Sequence, residues 1–139
     1  MGYSRVMADE TLEAALGREL SARARGLTAA YLFGSAARGE LRPDSDIDLA
    51  LLYAEPPQAS LEAQPFALAA EIASVVGRPI DAIVLNSAPV DLIHRVLRDG
   101  RLLVETDRSA RIAFEVRARN EYFDLLPTLR RYRRQGASP

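Results

Sequence analysis

The sequence predicts an α/β (α+β) domain in which helices flank a small mixed sheet. Two patterns carry that expectation: short apolar or alternating runs closed by Gly, Pro or Asp, and intervening segments whose apolar residues recur at helical spacing. The 139 residues can bury one hydrophobic core without help from disulfides or structural zinc. A single domain over residues 1–139 is expected, with a C-terminal helix from residue 107 and a polar tail from residue 135.

The elements follow in order. Leu12, Leu16 and Leu20 mark an amphipathic helix over residues 8–25, opened by Asp9 and Glu10 and closed by Gly26. Thr28–Phe33 reads as a buried strand ended by Gly34, and Arg38–Ser45, rich in Gly, Pro and Asp, as a loop. Ile47, Leu49 and Leu51 then alternate with Asp46, Asp48 and Ala50, giving a strand with one apolar face and an acidic start to the other. Beyond Pro56 and Pro57, Leu68, Ala69, Ile72 and Val76 predict a helix over residues 60–76, ended by Gly77. Arg78–Asn86 predicts a third strand, residues 89–98 a short helix and Arg101–Val104 a short strand. Ile112, Val116, Phe123 and Leu126 are the expected buried stripe of the last helix, which Pro127 should kink or interrupt.

Composition removes several classes of function. With no cysteine, disulfide frameworks, thiolate catalysis and thiolate metal ligands are excluded. All 18 basic residues are arginine, so there is no lysine nucleophile and no phosphate-binding lysine; phosphate contacts must come from arginine or backbone amides. A net charge of -1 lacks the footprint of a general nucleic-acid binder. The basic run RRYRR, Arg130 to Arg134, reads as a solvated helix end, with docking as the minority alternative. The first residues, MGYSRVMADE, lack a basic segment leading into an apolar core, so no secretory leader is expected, and no apolar run approaches the ~20 residues needed to span a bilayer. A soluble, cytoplasmic protein is expected.

The chemistry concentrates between Tyr31 and Leu52. Gly34 lets a ligand approach the backbone, and Ser35 adds a hydroxyl beside amides that open a turn, a combination suited to phosphate oxygens. Asp46 and Asp48, two apart on a strand, project from one face and repel unless a cation lies between them. The natural cation is Mg²⁺, which takes a few carboxylates and completes its octahedron with water and phosphate oxygens. Asp81 stands among apolar residues in the next strand, where a carboxylate calls for a partner. If that strand lies beside the first, the three aspartates can hold two metals roughly 3.5–4 Å apart, the arrangement of in-line phosphoryl chemistry.

These residues resemble the signature of the DNA polymerase β-like nucleotidyltransferase superfamily: Gly34-Ser35, ten intervening residues, Asp46-Ile47-Asp48, then an acid, Asp81, on a later strand. The stretches "GSAARG", "SDIDLALL", "PIDAIVLN", "RVLRDGRLLVE" and "FEVRARNEYFDLLPTL" look most like the minimal nucleotidyltransferase (MNT) antitoxins that pair with HEPN-domain toxins. The resemblance implies a polymerase β-like nucleotidyltransferase fold, with Asp46, Asp48 and Asp81 holding Mg²⁺, expected as two ions. Gly34 and Ser35 would grip the triphosphate of ATP, and Arg38 would contact phosphates or buttress the loop. Ser45 would cap the loop or touch nucleotide or acceptor.

The short chain after the third strand leaves little room for an acceptor domain, so the acceptor is expected on another protein. The resemblance makes it a tyrosine of a HEPN ribonuclease toxin, silenced by transfer of AMP. The alternatives are an antitoxin that acts by binding and occlusion, or a nucleotidyltransferase acting on a small molecule or RNA. His94 is expected as a partly buried or surface residue of an amphipathic helix rather than a catalytic base. Tyr31 and Phe33 are expected in the core, while Tyr122 stays open between core, interface and base stacking.

Overall fold

A computed structural model of the chain describes residues 10–40, 42, 44–57 and 63–136. Its elements are α1 (Leu12–Arg23), β1 (Leu27–Phe33), β2 (Ile47–Tyr53), α2 (Ala63–Val76), β3 (Ile80–Val84), α3 (Val90–Asp99), β4 (Arg101–Glu105) and α4 (Arg108–Gly136). The strands form one mixed sheet in the order β3-β2-β1-β4. β1 pairs antiparallel with β2 and β4, and β2 pairs parallel with β3 through the α2 crossover. This is the mixed α/β architecture that the alternating patterns predict.

Period-two patterning assigns the two faces of the sheet. Leu32, Ile47, Leu49 and Leu51 point to the side covered by Leu16 and Leu20 of α1 and Leu68 and Ile72 of α2. Ala29, Tyr31, Ala50 and Leu52 point to the other side, against Ile93 and Val96 of α3 and Ala118 of α4. Asp48 has the parity of Ala50 and Leu52, so it lies at one end of the α3/α4 face.

Local chemistry explains where element ends differ from expectation. The first helix starts at Leu12 rather than residue 8, because the Thr11 hydroxyl accepts from the Ala14 amide at 3.1 Å and acts as its N-cap. Residues 8 and 9 lie outside the described residues, as do 60–62 of the second predicted helix. The third strand is shorter than Arg78–Asn86: after Val84 the chain enters a 3-10 turn, Leu85–Ser87. There the Asn86 side chain accepts from the Tyr53 amide and donates to the Tyr53 carbonyl, both at 2.9 Å, closing the end of β2. The C-terminal helix begins at Arg108, capped by Asp107, whose Oδ1 accepts from the Ala110 amide at 3.0 Å; it runs through Pro127 without interruption.

One expectation about α4 fails. Ile112, Val116 and Phe123 are 42%, 49% and 62% exposed, and Leu126 is only half-buried. The inward face is one helical step away, at Phe114, Glu115, Ala118 and Tyr122. A polar residue explains the misassignment: Glu115 is buried because the Tyr31 hydroxyl donates to it at 2.9 Å and Arg111 and Arg119 pair with it. Apolar periodicity cannot reveal an inward face centred on a neutralised carboxylate. Further along, Tyr122 stacks on His94 with ring centroids 3.6 Å apart, joining α4 to α3. Among the described residues no helix is long and apolar enough to cross a membrane.

Burial and the hydrogen bond to Glu115 push the Tyr31 hydroxyl well above its ordinary pKa. The folded state thus favours neutral Tyr31, and the associated stability is present below pH ~10 and lost as pH rises further. Tyr31→Phe is expected to cost about 1.5 kcal/mol at neutral pH, the low end for a bond to a charged group because the two arginines stay on Glu115. The variant should also lose less stability than wild type between neutral and strongly alkaline pH, as read by urea unfolding across that range.

Candidate functional site

The site is built where β1 ends and β2 and β3 begin. β1 runs into Gly34, whose φ of 72° is a left-handed conformation open to glycine and strained for other residues. The chain then makes helical-type turns: the amide of Arg38 donates to the Gly34 carbonyl at 3.3 Å and that of Glu40 to the Ser35 carbonyl at 2.9 Å. Buried Ala37 pins this turn to the core, Ser35 is half-buried and Arg38 is exposed. The Arg38 Nε donates to Glu40 at 3.1 Å.

Gly34 also lies directly against Asp48. A Cβ at this position would overlap Oδ2 of Asp48 and lie 3.2 Å from its Cγ. The missing side chain is therefore the space in which the Asp48 carboxylate sits. Sequence reasoning reserves this space for a ligand; the structure shows a carboxylate of the chain itself against the glycine.

The three aspartates come to one sheet end. Asp48 pairs in register with Phe33 on one side and with Asp81 on the other. Because β2 and β3 are parallel neighbours, paired residues share a face, so the Asp48 and Asp81 side chains project together. Asp46 precedes β2 with the same parity and is exposed. Asp81, which its apolar flanks mark as a carboxylate in need of a partner, is also exposed, on the edge strand. An edge position satisfies those flanks on one side and leaves the carboxylate in solvent.

The electrostatics follow from this placement. Asp48 is the half-buried member, and its carboxyl is raised above the usual range, first by burial, then by the charges of Asp81 and Asp46, with Arg38 opposing. Among the described residues no three His, Cys, Asp or Glu side chains already close into a metal-holding cluster. What the donor set offers is an open array of hard carboxylate oxygens whose repulsion a divalent cation would relieve.

Ser45 braces the loop: its hydroxyl accepts from the Arg42 amide at 3.2 Å and its own amide donates to the Arg42 carbonyl at 3.0 Å. Sequence reasoning misses Arg78. Its guanidinium, at the foot of β3, donates to the backbone carbonyls of Arg42 and, at 3.3 Å, Ser45, tying down the segment that leads into Asp46. Nothing in the sequence separates this arginine from the others, since its role depends on the parallel pairing of β2 with β3. Next to it the Ile47 amide donates to the Pro79 carbonyl at 2.9 Å and fixes the register.

A Gly-Ser turn beside an Asp-x-Asp strand and a third strand-borne aspartate, all on one small mixed sheet, defines a nucleotidyltransferase-type domain. The chain belongs to the polymerase β nucleotidyltransferase family, whose model matches residues 18–109. Among solved structures it is similar to a chain of a toxin–antitoxin complex with AMP-PNP, at 26% identity and a TM-score of 0.79, covering 92% of this chain and 100% of that one. It is also similar to a chain of the tri-AMPylated Shewanella oneidensis HEPN toxin in complex with MNT antitoxin, at 25% identity and a TM-score of 0.71, covering 91% and 96%. A minimal nucleotidyltransferase structure is 30% identical over 68% of this chain and 98% of its own length, with a TM-score of 0.52. No curated protein matches the sequence.

Two glycine substitutions separate backbone strain from the carboxylate contact. Gly26, with φ 71°, has open space where a Cβ would stand, so Gly26→Ala should cost only the left-handed penalty, about 1–2 kcal/mol. Gly34→Ala should cost more, because it also displaces Asp48. Equal losses in urea unfolding would show that Asp48 yields freely and is not held against the glycine.

Proposed function

We propose that the protein is an MNT antitoxin that transfers AMP from ATP to a tyrosine hydroxyl of a cognate HEPN ribonuclease toxin and thereby neutralises it. The observation that carries this reading is the in-register pairing of Asp48 with Asp81 beside the Gly34-Ser35 turn. Membership of the nucleotidyltransferase family and the AMPylated-toxin and AMP-PNP complexes among its structural relatives support the same chemistry.

In this mechanism the amides that open the turn at Ser35 and Ala36, with the Ser35 hydroxyl, take triphosphate oxygens. Gly34 keeps the turn close to Asp48. Asp46, Asp48 and Asp81 are the residues that would hold Mg²⁺, with two ions expected. When bound, Mg²⁺ supplies charge for the phosphates and acidity for the acceptor hydroxyl. The tyrosine hydroxyl gives up its proton to solvent, its oxygen forms a bond to the α-phosphorus, the bond from that phosphorus to the oxygen bridging to the β-phosphate breaks, and pyrophosphate leaves with the electron pair.

Arg38 reaches Asp48 electrostatically and is placed to steady phosphate charge, while its contact with Glu40 braces the turn. Ser45 and Arg78 act on the backbone before Asp46, as positioning residues. His94 is committed to its stack with Tyr122 and has no part in this proton path.

The test is to incubate purified HEPN toxin with this protein, ATP and Mg²⁺ and weigh the intact toxin. Wild type should add AMP increments, and Asp46→Asn should slow the transfer roughly a thousandfold, the loss expected when several kcal/mol of transition-state stabilisation goes. A toxin of unchanged mass with wild type, despite a stable complex, would assign neutralisation to binding and occlusion. Arg78→Ala should keep most of the stability and lower the transfer rate by about tenfold, the low end for a positioning residue.

A further inference from the structure

The outer face of α4 carries exposed apolar residues at helical spacing. Ile112, Val116 and Phe123 are 42%, 49% and 62% exposed on a domain whose other large apolar residues are mostly covered. Together with Arg119, Leu126 and Arg130 they recur at intervals of four, three, four, three and four residues. That is the spacing of a continuous seam that packs along a second helix at a shallow crossing angle. α4 uses a different face, through Phe114, Glu115, Ala118 and Tyr122, to cover its own sheet. It therefore presents two faces, and only one is covered by its own domain.

Charge selects the occupant. The polar seam positions are arginines, Arg119, which pairs with the inward Glu115, and Arg130, and no seam position carries a carboxylate. The acids of α4 lie elsewhere: Glu115 is buried inward, while Glu121 and Asp124 fall outside the seam spacing. A second copy laid seam to seam would bring apolar groups and a further Arg130 with no seam carboxylate to meet it. The complement is a helix whose seam is apolar with an acidic residue opposite Arg130.

Direction matters as well. α4 starts beside Thr28, where Thr106 donates to the Leu27 carbonyl at 2.5 Å, and passes Tyr31 at Glu115. It then continues toward the end of β1, where Phe33 pairs with Asp48. A helix lying along the seam is thus brought to the carboxylate end of the sheet.

We infer that the Ile112–Arg130 seam of α4 docks an acidic, apolar helix of the acceptor protein and holds that protein at the aspartate site. The inference rests on the transfer reaction proposed above, and its failure can be told apart from failure of that reaction. The experiment measures toxin affinity and toxin mass for full-length wild type, Asp46→Asn, Val116→Glu/Phe123→Glu and Arg130→Glu. Unfolding temperatures confirm that the exposed substitutions leave the fold intact.

Asp46→Asn should keep its toxin affinity, the double variant should lose at least about tenfold, and Arg130→Glu should weaken binding most at low salt. Toxin held by the double variant as tightly as by wild type overturns the seam and leaves the transfer reaction standing. Toxin bound but unmodified by wild type, with binding lost in the double variant, overturns the reaction and leaves the seam standing. Self-association of the free chain, abolished by the double variant, would make the occupant a second copy and overturn the inference.

Discussion

The mutual repulsion of three carboxylates at one end of a four-stranded sheet is the constraint around which this domain is organised. Parallel pairing sets Asp48 directly beside Asp81, and burial, then the charges of Asp81 and Asp46, raise the pKa of half-buried Asp48. Such an arrangement opposes folding unless something else repays it, so the surrounding fold must be stable without the site. The two apolar clusters on either face of the sheet supply that stability, with Leu16, Leu20, Leu32, Ile47, Leu49, Leu51, Ile72, Leu85 and Val96 fully buried.

The same constraint explains the small residues near the site. Gly34 gives room to the Asp48 carboxylate, and Ala37 lets the following turn fold down against the core. Arg78 and Ser45 hold the loop before Asp46 through backbone atoms, which keeps the carboxylates free to face outward. On the far side, Glu115 shows the opposite solution to a buried acid: it is satisfied by Tyr31, Arg111 and Arg119 and serves packing alone.

Much of this was legible from residue patterns. Alternation in Asp46–Leu51 locates both the strand and its acidic face, and spacing marks Asp48 and Asp81, which the register pairs at one end of the sheet. The sequence leaves the adjacency of β2 and β3 open, and the register settles it by pairing Asp48 with Asp81. Other features were not legible because they depend on contacts distant in sequence: the grip of Arg78 on the Arg42–Ser45 backbone, the clamp of Asn86 on Tyr53, and the burial of Glu115. Ile112, Val116 and Phe123 misled for a related reason. Apolar spacing reports that a helix face is meant to be covered, without saying whether its own domain covers it.

The most direct measurement of the central claim is the unfolding temperature of wild type and Asp48→Asn at pH 7.5, each with and without Mg²⁺ and ATP. Asp48 has a folded-state pKa above its ordinary value, so its ionised form at this pH opposes folding, and removing the charge should stabilise the free protein. The account predicts that Asp48→Asn melts higher than wild type without ligand, and that Mg²⁺ with ATP raises the wild type and barely moves the variant. A variant that melts no higher than wild type, or that gains as much from Mg²⁺ and ATP, would contradict the claim that these carboxylates are held together to receive a metal.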